Sequence, residues 1–211
     1  LPTSPHRGEV GRGAVTFQTA SKRRLEALSK GVIAIINAMM MIKLIKVPST
    51  AAIVVPQPIN LVFLCYTLSF LYCGIYWNTY HILFQSVKRV NGRVVWANLH
   101  LLFWLAFVPF TTAWMGETAF STGPVVLYGI VLLLAAIAYG ILTRALIILH
   151  GKNSVLATTV GRNRTELLSL VIYLVALGLA FVNAWIACGL YALVAIIWLF
   201  PDQRIERTLQ K

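Results

Sequence analysis

The sequence predicts an all-α integral membrane protein of six transmembrane helices, with both termini on the cytoplasmic side. Three observations support this. Apolar residue types make up 59% of the 211 residues and charged types only 11%, against roughly 25% charged residues in an ordinary soluble domain. The apolar residues fall in long runs of membrane-spanning length, separated by short polar or proline-bearing stretches. The net charge of +12 comes from cations gathered in alternate connecting stretches, which is the positive-inside pattern of a multi-pass protein.

Taken in order, residues 1–21 are rich in Gly, Pro, Thr, Ser and Arg without apolar periodicity, and read as a disordered tail. Lys22, Arg23 and Arg24 precede the first apolar run, marking that side as cytoplasmic. The first helix is expected over 24–47. It follows a polar stretch without a small-residue cleavage pattern, so it is expected to remain in the mature protein. From Gly31 to Ile42 it carries no charge and one strongly polar side chain, Asn37, before Lys43 and Lys46 interrupt it and Pro48 stops it. Pro48 to Pro58 holds three prolines and no charge, an external loop.

The second helix is expected over 59–87. Lys88, Arg89 and Arg93, with the turn dipeptide Asn91-Gly92 between them, form a cytoplasmic loop. The third helix, 96–115, is bracketed by Trp96 and Trp114, whose amphipathic rings suit the two interfaces, and Pro109 inside it predicts a kink. The loop 116–124 carries only Glu117 and reads as external. A fourth helix over 125–148 meets the cytoplasmic cations Arg144, Lys152, Arg162 and Arg164. Leu167 to Phe200 is an apolar block of 34 residues, too long for one span of about 20 and enough for two short ones. Asn183 divides it into helices over 166–182 and 185–200. A basic tail, 202–211, follows the transmembrane domain of 22–201. One long helix in place of the last two would leave that tail outside, against the bias.

These features bound the function. The cations lie in loops and tails rather than on a basic face of a soluble element, so no nucleic-acid partner is expected; the lipid bilayer is. Cys65, Cys73 and Cys188 fall in predicted spans without ligand spacing, so they read as packing residues, and no metal or cofactor is expected. The six acidic residues supply no carboxylate pair within a span, and no HExxH, GxSxG or phosphate loop is present, which argues against an enzyme.

On a helical wheel the first helix has two characters. Arg24, Leu28, Gly31, Ile35, Met39, Ile42 and Lys46 share one face, an apolar seam with a cation at each end. Such a seam either packs on a neighbouring helix or, repeated around an axis, lines a pore whose narrow apolar rings gate by dewetting. Gly31 and Ala34 suit close helix approach. Lys30 and Asn37 lie on the opposite face and need polar partners, for which His81, Asn98 and His100 are the candidates. Lys43 belongs to neither face and reads as a snorkelling flank residue.

The stretch RLEALSKGVIAII from Arg24 to Ile36, YWNTYHILF from Tyr76 to Phe84, and WANLHLLFWLAFVPFTTAW from Trp96 to Trp114 together resemble the prokaryotic relatives of the transmembrane protein 175 potassium channels. The first resembles the family's signature Arg-x-x-x-Phe-Ser-Asp. Arg24 and Ser29 match it, whereas Leu28 stands at the Phe position and Lys30 at the Asp position. The resemblance implies a homotetramer in the bacterial plasma membrane, built around the first helix and conducting potassium ions without a carbonyl filter. It places the pore constriction at Ile35, Met39 and Ile42. Ala38 occupies the position where some bacterial relatives carry a threonine linked to potassium selectivity. A non-conducting membrane scaffold and a small secondary transporter remain as the other readings. A transporter is expected to show an internal repeat and broken helices.

Overall fold

The computed structural model describes the backbone of residues 6–45, 59–85, 87, 89–151 and 164–199, and the side chains of 21–42, 63–85, 87, 89–151 and 165–199. The described residues form six α-helices: α1 (His6–Ile45), α2 (Ile59–Gln85), α3 (Gly92–Glu117), α4 (Thr122–His150), α5 (Arg164–Ala180) and α6 (Ala184–Leu199). Ser21–Ile42, Gly92–Glu117 and Thr122–His150 are long and apolar enough to cross a bilayer, and Thr165–Ala180 and Ala184–Leu199 are shorter apolar helices. Trp96 and Trp114 are both exposed and lie eighteen residues apart on α3. At a rise of about 1.5 Å per residue that is about 27 Å, close to the thickness of a hydrocarbon core.

Helix α1 begins at His6, inside the stretch that the sequence reads as a disordered tail. Once an apolar helix is nucleated, extension costs little, and no proline stands between Pro5 and Pro48. The loop 48–58, Lys46, the basic stretch 152–163 and the tail after Leu199 lie outside the described residues, as does the side chain of Lys43.

The ends of the helices are set by local polar groups. Asn91 caps α3, its Oδ1 accepting from the Val94 amide at 3.0 Å, so the helix starts at Gly92 rather than Trp96. Between α5 and α6, the Asn183 amide donates to the Leu179 carbonyl at 2.8 Å, and its side chain accepts from the Trp185 amide at 2.9 Å. One residue therefore closes α5 and opens α6. Helix α3 continues through Pro109. Around it the Thr111 and Thr112 hydroxyls donate back to Val108 and Phe107 carbonyls.

Helix α3 is the centre of the packing, touching α1, α2 and α4, while α5 and α6 pair with each other and close against α4 and α2. The core is threaded by hydroxyls. Ser69 on α2 bonds Thr112 on α3 at 2.7 Å and Tyr128 on α4 at 3.0 Å. Tyr72 donates to the Tyr191 carbonyl on α6 at 2.6 Å and accepts from Tyr173 on α5 at 3.2 Å. In a membrane protein such bonds contribute about 1 kcal/mol each, and they fix which helix faces meet. Cys65 and Cys73 are buried and Cys188 half-buried, all as free thiols.

Close approach makes Gly129 necessary. A Cβ there would strike the Tyr191 hydroxyl and come within 2.9 Å of the Leu177 Cδ2, and Tyr191 is fully buried. Gly129→Ala is therefore expected to lower stability by about 1–3 kcal/mol, read as a lower unfolding temperature in detergent. The α3–α4 turn carries the opposite case. Ala119 holds φ at 50°, exposed to solvent, a conformation that strains a residue with a Cβ. Ala119→Gly should leave the unfolding temperature unchanged or raise it.

Candidate functional site

The described part of α1 buries one stripe and leaves the others open. Leu25, Ser29, Ile33, Ile36 and Met40 are buried at spacings of four and three residues, and they pack on α2 and α3. Ser29 is the polar centre of this stripe. Its hydroxyl donates to the Leu25 carbonyl at 2.9 Å and accepts from the Tyr80 hydroxyl of α2 at 2.9 Å and from Asn98 Nδ2 of α3 at 2.8 Å. All three side chains are at most 2% exposed. One donor and two acceptor sites are all a hydroxyl has, so Ser29 is saturated.

This junction fixes the rotation of α1 and thereby the direction of the seam. Ile35, Met39 and Ile42 are 60%, 47% and 61% exposed within the subunit, and Leu28 is 49% exposed. Gly31, Ala34 and Ala38 are exposed with them, and among the described residues nothing from another helix comes within 4 Å of where a Gly31 Cβ would stand. The seam therefore does not pack against the described helices of its own subunit.

Of the residues expected to support α1, the structure brings Asn98 to Ser29. Lys30 instead pairs with Glu26 on its own helix at 3.1 Å. His81 stacks on Trp77 with ring centroids 5.7 Å apart and shares a hydrogen bond with Gln85 at 2.9 Å. His100 accepts from Trp104 Nε1 at 2.9 Å. Asn37 is partly buried, and its Oδ1 has no hydrogen-bond partner among the described residues. Arg24 is exposed at the start of the stripe.

Two residues in the site were not singled out from sequence. Tyr80 lies within the YWNTYHILF stretch, next to the titratable His81. The signal was the helical spacing of Tyr72, Tyr76 and Tyr80, which puts three hydroxyls on one face of α2. Glu26 was legible as the residue four positions before Lys30, the favoured order for a helical ion pair. Among the described residues no group of His, Cys, Asp or Glu is arranged to hold a metal ion.

Ser29, Tyr80 and Asn98 come from three separate motifs, and all three residues lie within the region matched by a family model, Endosomal/lysosomal potassium channel TMEM175, over residues 24–109. A potassium channel of Chryseobacterium sp. (strain P1-3) is 48% identical over 191 residues, covering 90% of this chain and 99% of its own. The chain belongs to the TMEM175 family. A potassium channel of Streptomyces collinus is 31% identical over 192 residues, covering 84% of this chain and 91% of its own. The crystal structure of a lysosomal potassium-selective channel TMEM175 homologue from Chamaesiphon minutus has a TM-score of 0.71 at 26% identity, covering 85% of this chain and 97% of that one. The TMEM175 family is one of ion channels rather than enzymes, and the six-helix fold is shared with that channel.

Because Ser29 satisfies two partners at once, Ser29→Ala would strand the buried Tyr80 hydroxyl and the Asn98 amide. The expected loss is about 2–4 kcal/mol, against about 1 kcal/mol for Tyr80→Phe, which leaves Ser29 with Asn98. Thermal unfolding of the two variants in detergent checks the order.

Proposed function

We propose that this protein is a passive potassium channel of the bacterial plasma membrane, assembled as a homotetramer with the α1 seams facing a common axis and both termini in the cytoplasm. The observation that carries the proposal is the direction of the seam. Ser29 holds α1 so that Ile35, Met39 and Ile42 point away from their own subunit, and relatives covering most of the chain are named potassium channels. Repeated around an axis, these side chains form three apolar rings on successive turns of α1. Water leaves such a constriction when it is narrow, and ions then cross only as it widens.

Ala38 adjoins Met39 and offers no hydroxyl to a partly dehydrated ion. Discrimination of potassium from sodium then rests on the size of the rings, and a weak preference is expected. Ala38→Thr should raise the potassium-to-sodium flux ratio by supplying a ligand oxygen beside the constriction.

The decisive measurement is ion flux from proteoliposomes under potassium and sodium gradients. Ile35→Asn and Met39→Asn are each expected to raise potassium flux about tenfold, the change that follows from lowering a barrier by about 1.4 kcal/mol. Flux unaltered by both variants would remove the seam from the pathway. Saturable exchange would favour a transporter, and no flux from any variant a scaffold.

A further inference from the structure

At the end of the bundle that the positive-inside bias assigns to the cytoplasm, α3 and α4 enclose a groove of about 410 Å³ lined by Asn91, Arg93, Ile141, Arg144, Ala145, Ile148 and Leu149. Its chemistry is divided. Asn91, Arg93 and Arg144 form an exposed polar rim, and Ile141, Ala145, Ile148 and Leu149 form an apolar floor on α4. Ile148 is 77% exposed and Ile141 43%, an unfavourable arrangement in water and a suitable one against acyl chains.

We infer that this groove is a binding site for an anionic phospholipid of the cytoplasmic leaflet, its phosphodiester held by Arg93 and Arg144 and its acyl chains lying along Ile141 and Ile148. Among the described residues the charge balance fits an anion. Arg89 stands beside the groove, its guanidinium donating to the Leu149 carbonyl at 3.3 Å and adding a third cation. The carboxylate that feels the Arg144 charge is Glu166 on α5, which lies over Gly140, one helical turn before Arg144 and outside the groove lining. Two planar guanidiniums on neighbouring helices match phosphate oxygens in a way that lysines would not. Basic pockets between transmembrane helices on the cytoplasmic side are where such headgroups bind.

The floor decides between a lipid and a free anion. Inorganic phosphate or a headgroup without chains would use the arginines alone and leave Ile141 and Ile148 uncovered. The groove is also distinct from the seam, since it lies on α3 and α4, whereas the α1 stripe meets α2 and α3.

The test uses the full chain, purified in detergent and stripped of lipid, with native mass spectrometry counting bound lipid and thermal unfolding as the second readout. Phosphatidylglycerol is expected to bind and raise the unfolding temperature, phosphatidylcholine to do so far less, and glycerol phosphate not at all. The Arg93→Ala, Arg144→Ala double variant should lose about 25-fold in phosphatidylglycerol affinity, since each basic side chain near the surface is worth about fivefold. Arg93→Lys with Arg144→Lys should retain part of it. Both arginines are exposed, and the lipid-free unfolding temperature of each variant reports whether it has folded. Equal binding of the two phospholipids, an effect of glycerol phosphate matching that of the lipid, or undiminished binding by the folded alanine variant would overturn the site.

Discussion

The rotation of α1 about its own axis is the constraint on which the rest depends, and Ser29 sets it. An apolar helix in lipid slides and turns against apolar neighbours with little change in energy, because acyl chains and leucine side chains are similar surroundings. A buried hydroxyl that accepts from Tyr80 and Asn98 removes that freedom. Rotation in either direction would break both bonds in a place where water cannot replace them. With the stripe around Ser29 fixed towards α2 and α3, Ile35, Met39 and Ile42 are left on the open side.

The remaining helices form a frame held by the same device. Hydroxyl contacts join Ser69, Thr112 and Tyr128 across α2, α3 and α4, and Tyr72, Tyr173 and Tyr191 across α2, α5 and α6. Gly129 admits the Tyr191 ring to α4. The short helices α5 and α6, at 17 and 16 residues, are about 24–26 Å long, so they are held as much by this hydroxyl network as by their own apolar length.

The helices were legible in the sequence because hydropathy, proline and charge bias act locally along the chain. Asn183 as the break in the last apolar block, and the seam as one face of the first helix, follow from spacing alone. The partners of the polar residues were less legible. Lys30 and Asn37 share a face on the wheel, yet Lys30 finds Glu26 one turn away on the same helix, and His81 finds Trp77 and Gln85 on its own helix. Buried polar groups need partners on other helices, but a half-exposed side chain takes the nearest one. Ser29 behaves otherwise: it is fully buried, and its partners come from other helices that no local spacing identifies.

Burial also explains where the chain departs from its family's signature. Ser29, which matches, is inaccessible and bonded to two helices, so any change there disturbs the bundle. Leu28, at the Phe position, is 49% exposed on the seam, where a different apolar shape leaves the packing of the subunit unaltered. Lys30, at the Asp position, has a 44% exposed side chain paired with Glu26 at 3.1 Å. An exposed pair of this kind adds at most about 1 kcal/mol to stability, so it is not what holds α1 in place. It neutralises the reversed charge locally, on a face turned away from Ile35 and Ile42. The signature's acid can thus be replaced by a cation while the Ser29 junction keeps the helix in register, because in this chain the positioning and the charge at adjacent positions are carried by separate contacts.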